Sequence, residues 1–157
     1  MPAAPGELNP VGPGRIIVLD TSVVAKWFLP EPLSTEADRI LEEIRLGKTN
    51  AAAPDLIVYE FANILWQRQK KGSISGRQAA AIMSDFERLP FELVPGDVLG
   101  SEALKIAGNT GCTAYDGAFM ALASGLNATL VTADQKFIRL MAGTRFAKRV
   151  AWLGEWK

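Results

Sequence analysis

The chain has 157 residues, 48% of them hydrophobic, enough for one domain that buries roughly two-thirds of its unfolded surface and too few for two comfortable ones. Basic and acidic residues number 17 each, so the formal net charge is zero and any contact with a polyanion must come from local basic patches. Histidine is absent, which excludes imidazole general bases, histidine zinc sites and Ser-His-Asp triads, and the single Cys112 excludes an intrachain disulfide.

Residues 1–14, MPAAPGELNPVGPG, are rich in Pro and Gly and read as a disordered leader ahead of a single domain over residues 15–157. No stretch approaches the ~20 apolar residues of a membrane span, and no basic segment followed by an apolar core opens the chain. One cysteine suits a reducing compartment, so the expectation is a cytoplasmic protein with no membrane partner.

From Ile16 to Leu19 a continuous β-rich apolar run predicts a strand covered on both faces, and Asp20 ends it. The segment LSTEADRILEEIRLGK places Ala37, Ile40, Leu41 and Ile44 at helical spacing, with Gly47 as a stop. Asn50 to Ala53 predicts a short strand, and Pro54 is expected in the first turn of a long helix running to about Lys71. Ser75 caps a further helix that ends before Pro90. A strand in PFELVPG, a helix in DVLGSEALKIAGNTG, a helix over 114–125, a strand from Ala128 to Val131, a helix from Gln135 to Ala142 and an edge strand in VAWL complete the pattern. Such alternation predicts a three-layer α/β/α sandwich with a mostly parallel central sheet.

In open α/β sheets, sites gather beyond the carboxyl ends of strands. Asp20 and Asp134 follow predicted strands, while Asp116 and Glu60 lie in the early parts of helices that can dock beside those ends. Carboxylates drawn into one cleft repel, and a hydrated divalent cation is the cheapest neutraliser. Each acid also has a plainer reading. Asp20 can cap a helix beginning at Thr21, Asp116 can bond back to a cap at Thr113, and Asp134 can serve a turn after Thr132. Glu60 differs, because Leu56, Ile57, Phe61 and Ile64 place it on an apolar stripe, where a charge needs a cation, a strong donor or a paired Lys or Arg. Asn63, one turn on, is placed to add an amide to the same spot.

Taken in order, Asp-Thr-Ser after an apolar strand, VAKWFLPEP, P-D-L-x-x-x-E-x-x-N-x-L, YDGAFMALA and LVTAD resemble the PIN-domain family, most closely its VapC-type toxins, over residues 16 to about 152. The resemblance implies an endoribonuclease dependent on Mg2+ or Mn2+. By similarity Asp20 and Asp116 are the principal metal-binding acids, Glu60 and Asp134 complete the acidic site, and Ser22 and Thr132 are supporting polar residues. It further implies an RNA substrate, a homodimer, and an antitoxin partner expected to meet the VAKWFLPEP segment and the helices from Pro54 to Pro90. Gly117 departs from the family, which usually has alanine or another small residue there, and is expected to loosen the helix start.

For RNA phosphates, Arg68, Lys70 and Lys71 form one candidate cluster and Arg145, Lys148 and Arg149 another. Trp27, Phe28 and Trp66 are candidates for base stacking, with packing as the plainer role. Two other functions share acids at strand ends: a magnesium-dependent phosphotransfer domain of the haloacid-dehalogenase or receiver type, and an inactive PIN-fold interaction module.

Overall fold

Strand β1 (Arg15–Leu19) lies at the centre of a five-stranded sheet with β2 (Thr49–Pro54), β3 (Glu92–Val94), β4 (Thr129–Thr132) and β5 (Val150–Trp152). The strand order is β3-β2-β1-β4-β5, and every neighbouring pair is parallel. This is a computed structural model that describes residues 14–157; the expected leader, apart from Gly14, lies outside the described residues.

Helices α1 (Thr21–Val24), α2 (Ser34–Arg45), α3 (Ile57–Lys70) and α4 (Gly76–Phe86) connect β1 to β2 and β2 to β3. Helices α5 (Gly100–Thr110), α6 (Ala114–Gly125) and α7 (Gln135–Met141) serve the return to β4 and the step to β5. The chain moves outward in one direction from β1 and then crosses to the other side of it. Right-handed crossovers therefore put α1–α4 on one face and α5–α7 on the other, which is the three-layer arrangement.

Each helix buries what its sequence offers. Helix α3 turns Ile57, Phe61 and Leu65 inward at i, i+4 and i+8, and α2 does the same with Ala37, Ile40 and Ile44. Helix α6 is apolar all round and buries every residue from Gly117 to Ala123, as a helix packed between the sheet and a second helix must. At α4, Ser75 accepts from the Gln78 amide while the Gln78 side chain accepts from the Ser75 amide, a complete capping box.

Two local expectations are corrected. Pro54 does not open α3; it is the last residue of β2, opposite Val94, and α3 begins at Ile57. The Asp55 amide donates to the Val94 carbonyl at 2.8 Å, so the preceding Pro54 nitrogen turns to the β1 side, where pairing has already stopped at Ala52. A proline there removes no ladder bond. Gly117 does not loosen α6 either. A Cβ at that position would stand 2.6 Å from the carbonyl oxygen of Ala103, so glycine is what lets α5 lie directly against α6.

Candidate active site

The strand order reverses between β1 and β4, and the crevice outside their carboxyl ends collects the acids. Asp20, Asp116 and Asp134 line a cleft there together with Phe119, Leu130 and Phe137, and its free volume of about 10 Å³ has room for one ion or water. Glu60 stands beside it, close enough to feel the charges of Asp20 and Asp116.

Asp20 is fixed by hydroxyls from both strand ends. Ser22 Oγ donates to its Oδ2 at 2.6 Å and Thr132 Oγ1 donates to the same oxygen at 2.8 Å. Each hydroxyl also accepts a backbone amide of the following turn: Ser22 Oγ from Ala133 at 3.0 Å, and Thr132 Oγ1 from Asp134 at 3.0 Å. The two residues expected to support the site thus stitch β1 to β4 through the Asp20 carboxylate. Although Asp20 precedes α1, its side chain makes no capping bond, so the plainer reading of it fails.

Asp134 does cap. Its Oδ1 accepts from the amides of Lys136 and Phe137 at 2.9 and 3.2 Å, which anchors α7 while the residue lines the cleft. At α6 the cap is Thr113, whose hydroxyl accepts from the Asp116 amide at 3.1 Å. No reciprocal box forms there, which leaves the Asp116 carboxylate to face the cleft.

Glu60 has a strong donor rather than a basic partner: buried Thr21 gives its hydroxyl proton to Oε1 at 2.7 Å. Thr21 escaped sequence reasoning, and the only signal for it was its place next to Asp20. Asn63 is exposed and makes no hydrogen bond to Glu60 among the described residues.

Three of the acids are held more protonated than usual. Burial pushes Asp20 above the ordinary aspartate range, outweighing the hydrogen bonds from Ser22, Thr132 and the Thr21 amide, and the Asp134 charge adds to the rise. Burial likewise raises Glu60, against the Thr21 bond and with repulsion from Asp20 and Asp116. For Asp116 burial is again the largest cause, followed by repulsion from Asp20, while Lys136 pulls the other way. Mutual repulsion among hard oxygen donors is the setting a small divalent cation relieves.

Among the described residues no group of three or more of these acids is arranged to hold a metal ion together. Their oxygens are nevertheless of the donor type that hard divalent cations take, one or two carboxylates at a time.

The candidate RNA cations do not gather at the cleft. Arg68 is paired with Glu31 at 2.7 Å, and Lys70 lies over the Trp66 ring at 5.2 Å. Arg68, Lys70 and Lys71 stand roughly 12 to 16 Å beyond Glu60 along the axis of α3. In the other cluster Arg145 pairs with Glu102 at 3.4 Å, at the far end of the α5–α6 pair. Lys136, in the first turn of α7, is the cation whose charge reaches Asp116, and sequence reasoning missed it. Trp27 and Phe28 are packed, the first donating to the Ala37 carbonyl at 2.7 Å and the second 5.4 Å from the Phe61 ring, whereas Trp66 is exposed.

Comparison with known proteins agrees with this architecture. Residues 17–142 match the PIN domain family. A protein named ribonuclease VapC3 from Pyrobaculum aerophilum is 30% identical over 124 residues, covering 76% of this chain and 90% of that protein. A toxin–antitoxin complex from Klebsiella pneumoniae superposes with a TM-score of 0.60 at 15% identity, covering 86% of this chain and 95% of that one. VapBC2 from Rickettsia felis, solved on a DNA fragment from its promoter, gives 0.58 at 16% identity over 87% of this chain and 98% of that one. With the family match spanning most of the chain and a relative covered nearly end to end, the protein belongs to the PIN-domain family, among its VapC-type members.

Proposed function

We propose that the chain is a metal-dependent endoribonuclease, the toxin of a toxin–antitoxin pair, which hydrolyses RNA phosphodiester bonds in the cytoplasm with Mg2+ or Mn2+. The observation that carries this reading is the meeting of Asp20, Asp116 and Asp134 in one narrow cleft, with Glu60 within electrostatic reach. It is supported by the similarity to a protein named as a ribonuclease.

When bound, a divalent cation supplies an activated water and compensates charge on the phosphate under attack. Asp20 and Asp116 are the residues placed to hold it. The Oδ2 of Asp20 is occupied by two hydroxyls, which leaves Oδ1 free of side-chain donors for the cleft. Glu60, oriented by Thr21, is placed to take a proton from the attacking water. Asp134 holds α7 in place and with it Lys136, which we assign to a phosphate next to the scissile bond.

As the antitoxin surface we assign a groove of about 460 Å³ in which Trp27 and Phe28 of the VAKWFLPEP segment and Leu89 are joined by Leu41 and Arg45 of α2. Its apolar floor and mixed charges suit an amphipathic segment of a partner protein. We assign to the protein a homodimeric assembly as well, on family likeness. A phosphotransfer reading has no observation in its favour, because Ser22 stands two residues after Asp20 and its hydroxyl is committed to that carboxylate.

The test is cleavage of a single-stranded RNA by purified protein with Mg2+ or Mn2+, against Asp20→Asn and Asp116→Asn. Loss of at least about 100-fold in kcat, with melting retained, is the expected result. Cleavage that persists in either variant, or that needs no divalent ion, refutes the assignment.

A further inference from the structure

Glu31 lies in the VAKWFLPEP segment, outside the acidic cleft, and accepts from two cations. Lys26 Nζ reaches its Oε2 at 3.1 Å, and Arg68 Nη2 reaches its Oε1 at 2.7 Å. The Lys26 side chain is only 9% exposed and that of Glu31 23%, so these charges are largely withdrawn from solvent and depend on one another. The backbone of Glu31 is pinned too: its amide donates to Ser34 Oγ at 3.2 Å, and that hydroxyl donates back to its carbonyl at 2.8 Å.

Arg68 and Glu60 sit eight residues apart on α3, hence on one face and about 12 Å along the axis. The segment after β1 runs beside that face. Thr21 at its start grips Glu60, and Lys26 with Glu31 at its end grips Arg68. Between the two grips the Phe28 and Phe61 rings pack at 5.4 Å. The buried stripe of Ile57, Phe61 and Leu65 seats α3 in the core, and one polar attachment refines its rotation at one end only. Two attachments set the register and rotation of the flank on which Glu60 lies, at both ends.

We propose that Arg68 and Glu31 are positioning residues: they hold α3 so that Glu60 faces the cleft, and Arg68 is not a contact for RNA. The inference rests on the ribonuclease reading for its kinetic signature, and on metal binding for a readout independent of cleavage.

Arg68→Gln is the discriminating variant, because it leaves the Lys26–Glu31 pair intact. The expected result is a fall of about tenfold in kcat with KM for RNA within about twofold, since substrate binding is untouched. The Mn2+ concentration giving half of the metal-induced rise in Tm should increase by about threefold or more, and Arg68→Lys should restore most of both losses. Thr21→Val, which cuts the other grip, should give the same split, and the double variant should lose less than the product of the two because both act on one carboxylate.

A raised KM with a shallower salt dependence of RNA binding, and kcat and Mn2+ midpoint unchanged, overturns the proposal and makes Arg68 an RNA contact. No change in any of these also overturns it. If the wild-type protein binds Mn2+ but cleaves no RNA, the ribonuclease reading fails while the Mn2+ midpoint of Arg68→Gln still decides the positioning role.

Discussion

The two helical faces deliver acids to the same cleft by different means. On the α1–α4 face, Glu60 is held by side-chain polarity: a hydroxyl at one end and a three-charge cluster at the other. On the α5–α7 face, Asp116 and Asp134 are held by backbone: a cap at Thr113, a cap by Asp134 itself, and the close seat of Gly117 on Ala103. The first kind of support can be tuned one hydrogen bond at a time. The second combines helix caps with one steric contact, the Gly117 seat, which gives way as a whole.

The largest effect should come from overloading the steric face. Gly117→Ala places a methyl 2.6 Å from a backbone oxygen that cannot turn aside, so α5 and α6 must separate. A loss of about 1–3 kcal/mol by denaturant titration is expected, with RNA cleavage falling alongside it. A neutral result would show that α6 is not seated as described, and that the two faces are less different than they look.

The polar face and the cleft respond to pH instead. Asp20, Glu60 and Asp116 bind protons more tightly in the fold than in the unfolded chain, so between their unfolded and folded values the native state carries the extra protons. The contribution of these three groups to stability without metal is therefore most favourable in acid and declines as pH rises from the ordinary carboxylate range through the raised values, levelling off above them. Saturating Mg2+ or Mn2+ should cancel that fall. Tm followed from pH 4 to 8 (about the range carboxylates span), with and without metal, checks the sign; a metal-free Tm that rises over that interval contradicts it.

The smallest effect separates the cations. Lys136→Ala should raise KM for RNA about three- to tenfold and lower the salt slope of binding by about one unit, while Lys70→Ala should do neither. Equal effects of the two would return RNA binding to the end of α3 and detach it from α7.

Much of the architecture was legible in the sequence because its signals are local. The apolar run before Asp20, the Ser75 cap, and the apolar spacing of Ile57 and Phe61 each report on a few neighbouring residues. What escaped depends on who lies opposite. Pro54 looked like a helix start until Val94 and the early end of the β1 ladder made it a harmless strand end. Gly117 looked like a weakness until Ala103 arrived against it. Arg68 was open to RNA because Glu31 is 37 residues away, and Thr21 was only the start of a helix because Glu60 is 39 residues away. The positions of Asp20 and Asp134 could be guessed from strand ends, and those of Glu60 and Asp116 from helix starts; what each one is tied to could not.

Ser22 and Thr132 each accept an amide of the Ala133–Asp134 turn and donate to Asp20, and their own oxygens lie 3.4 Å apart. The relay from main chain to hydroxyl to carboxylate ties the orientation of that carboxylate to the backbone of the turn. An ion arriving from solvent would meet an oxygen already aimed by the turn rather than one it must first order.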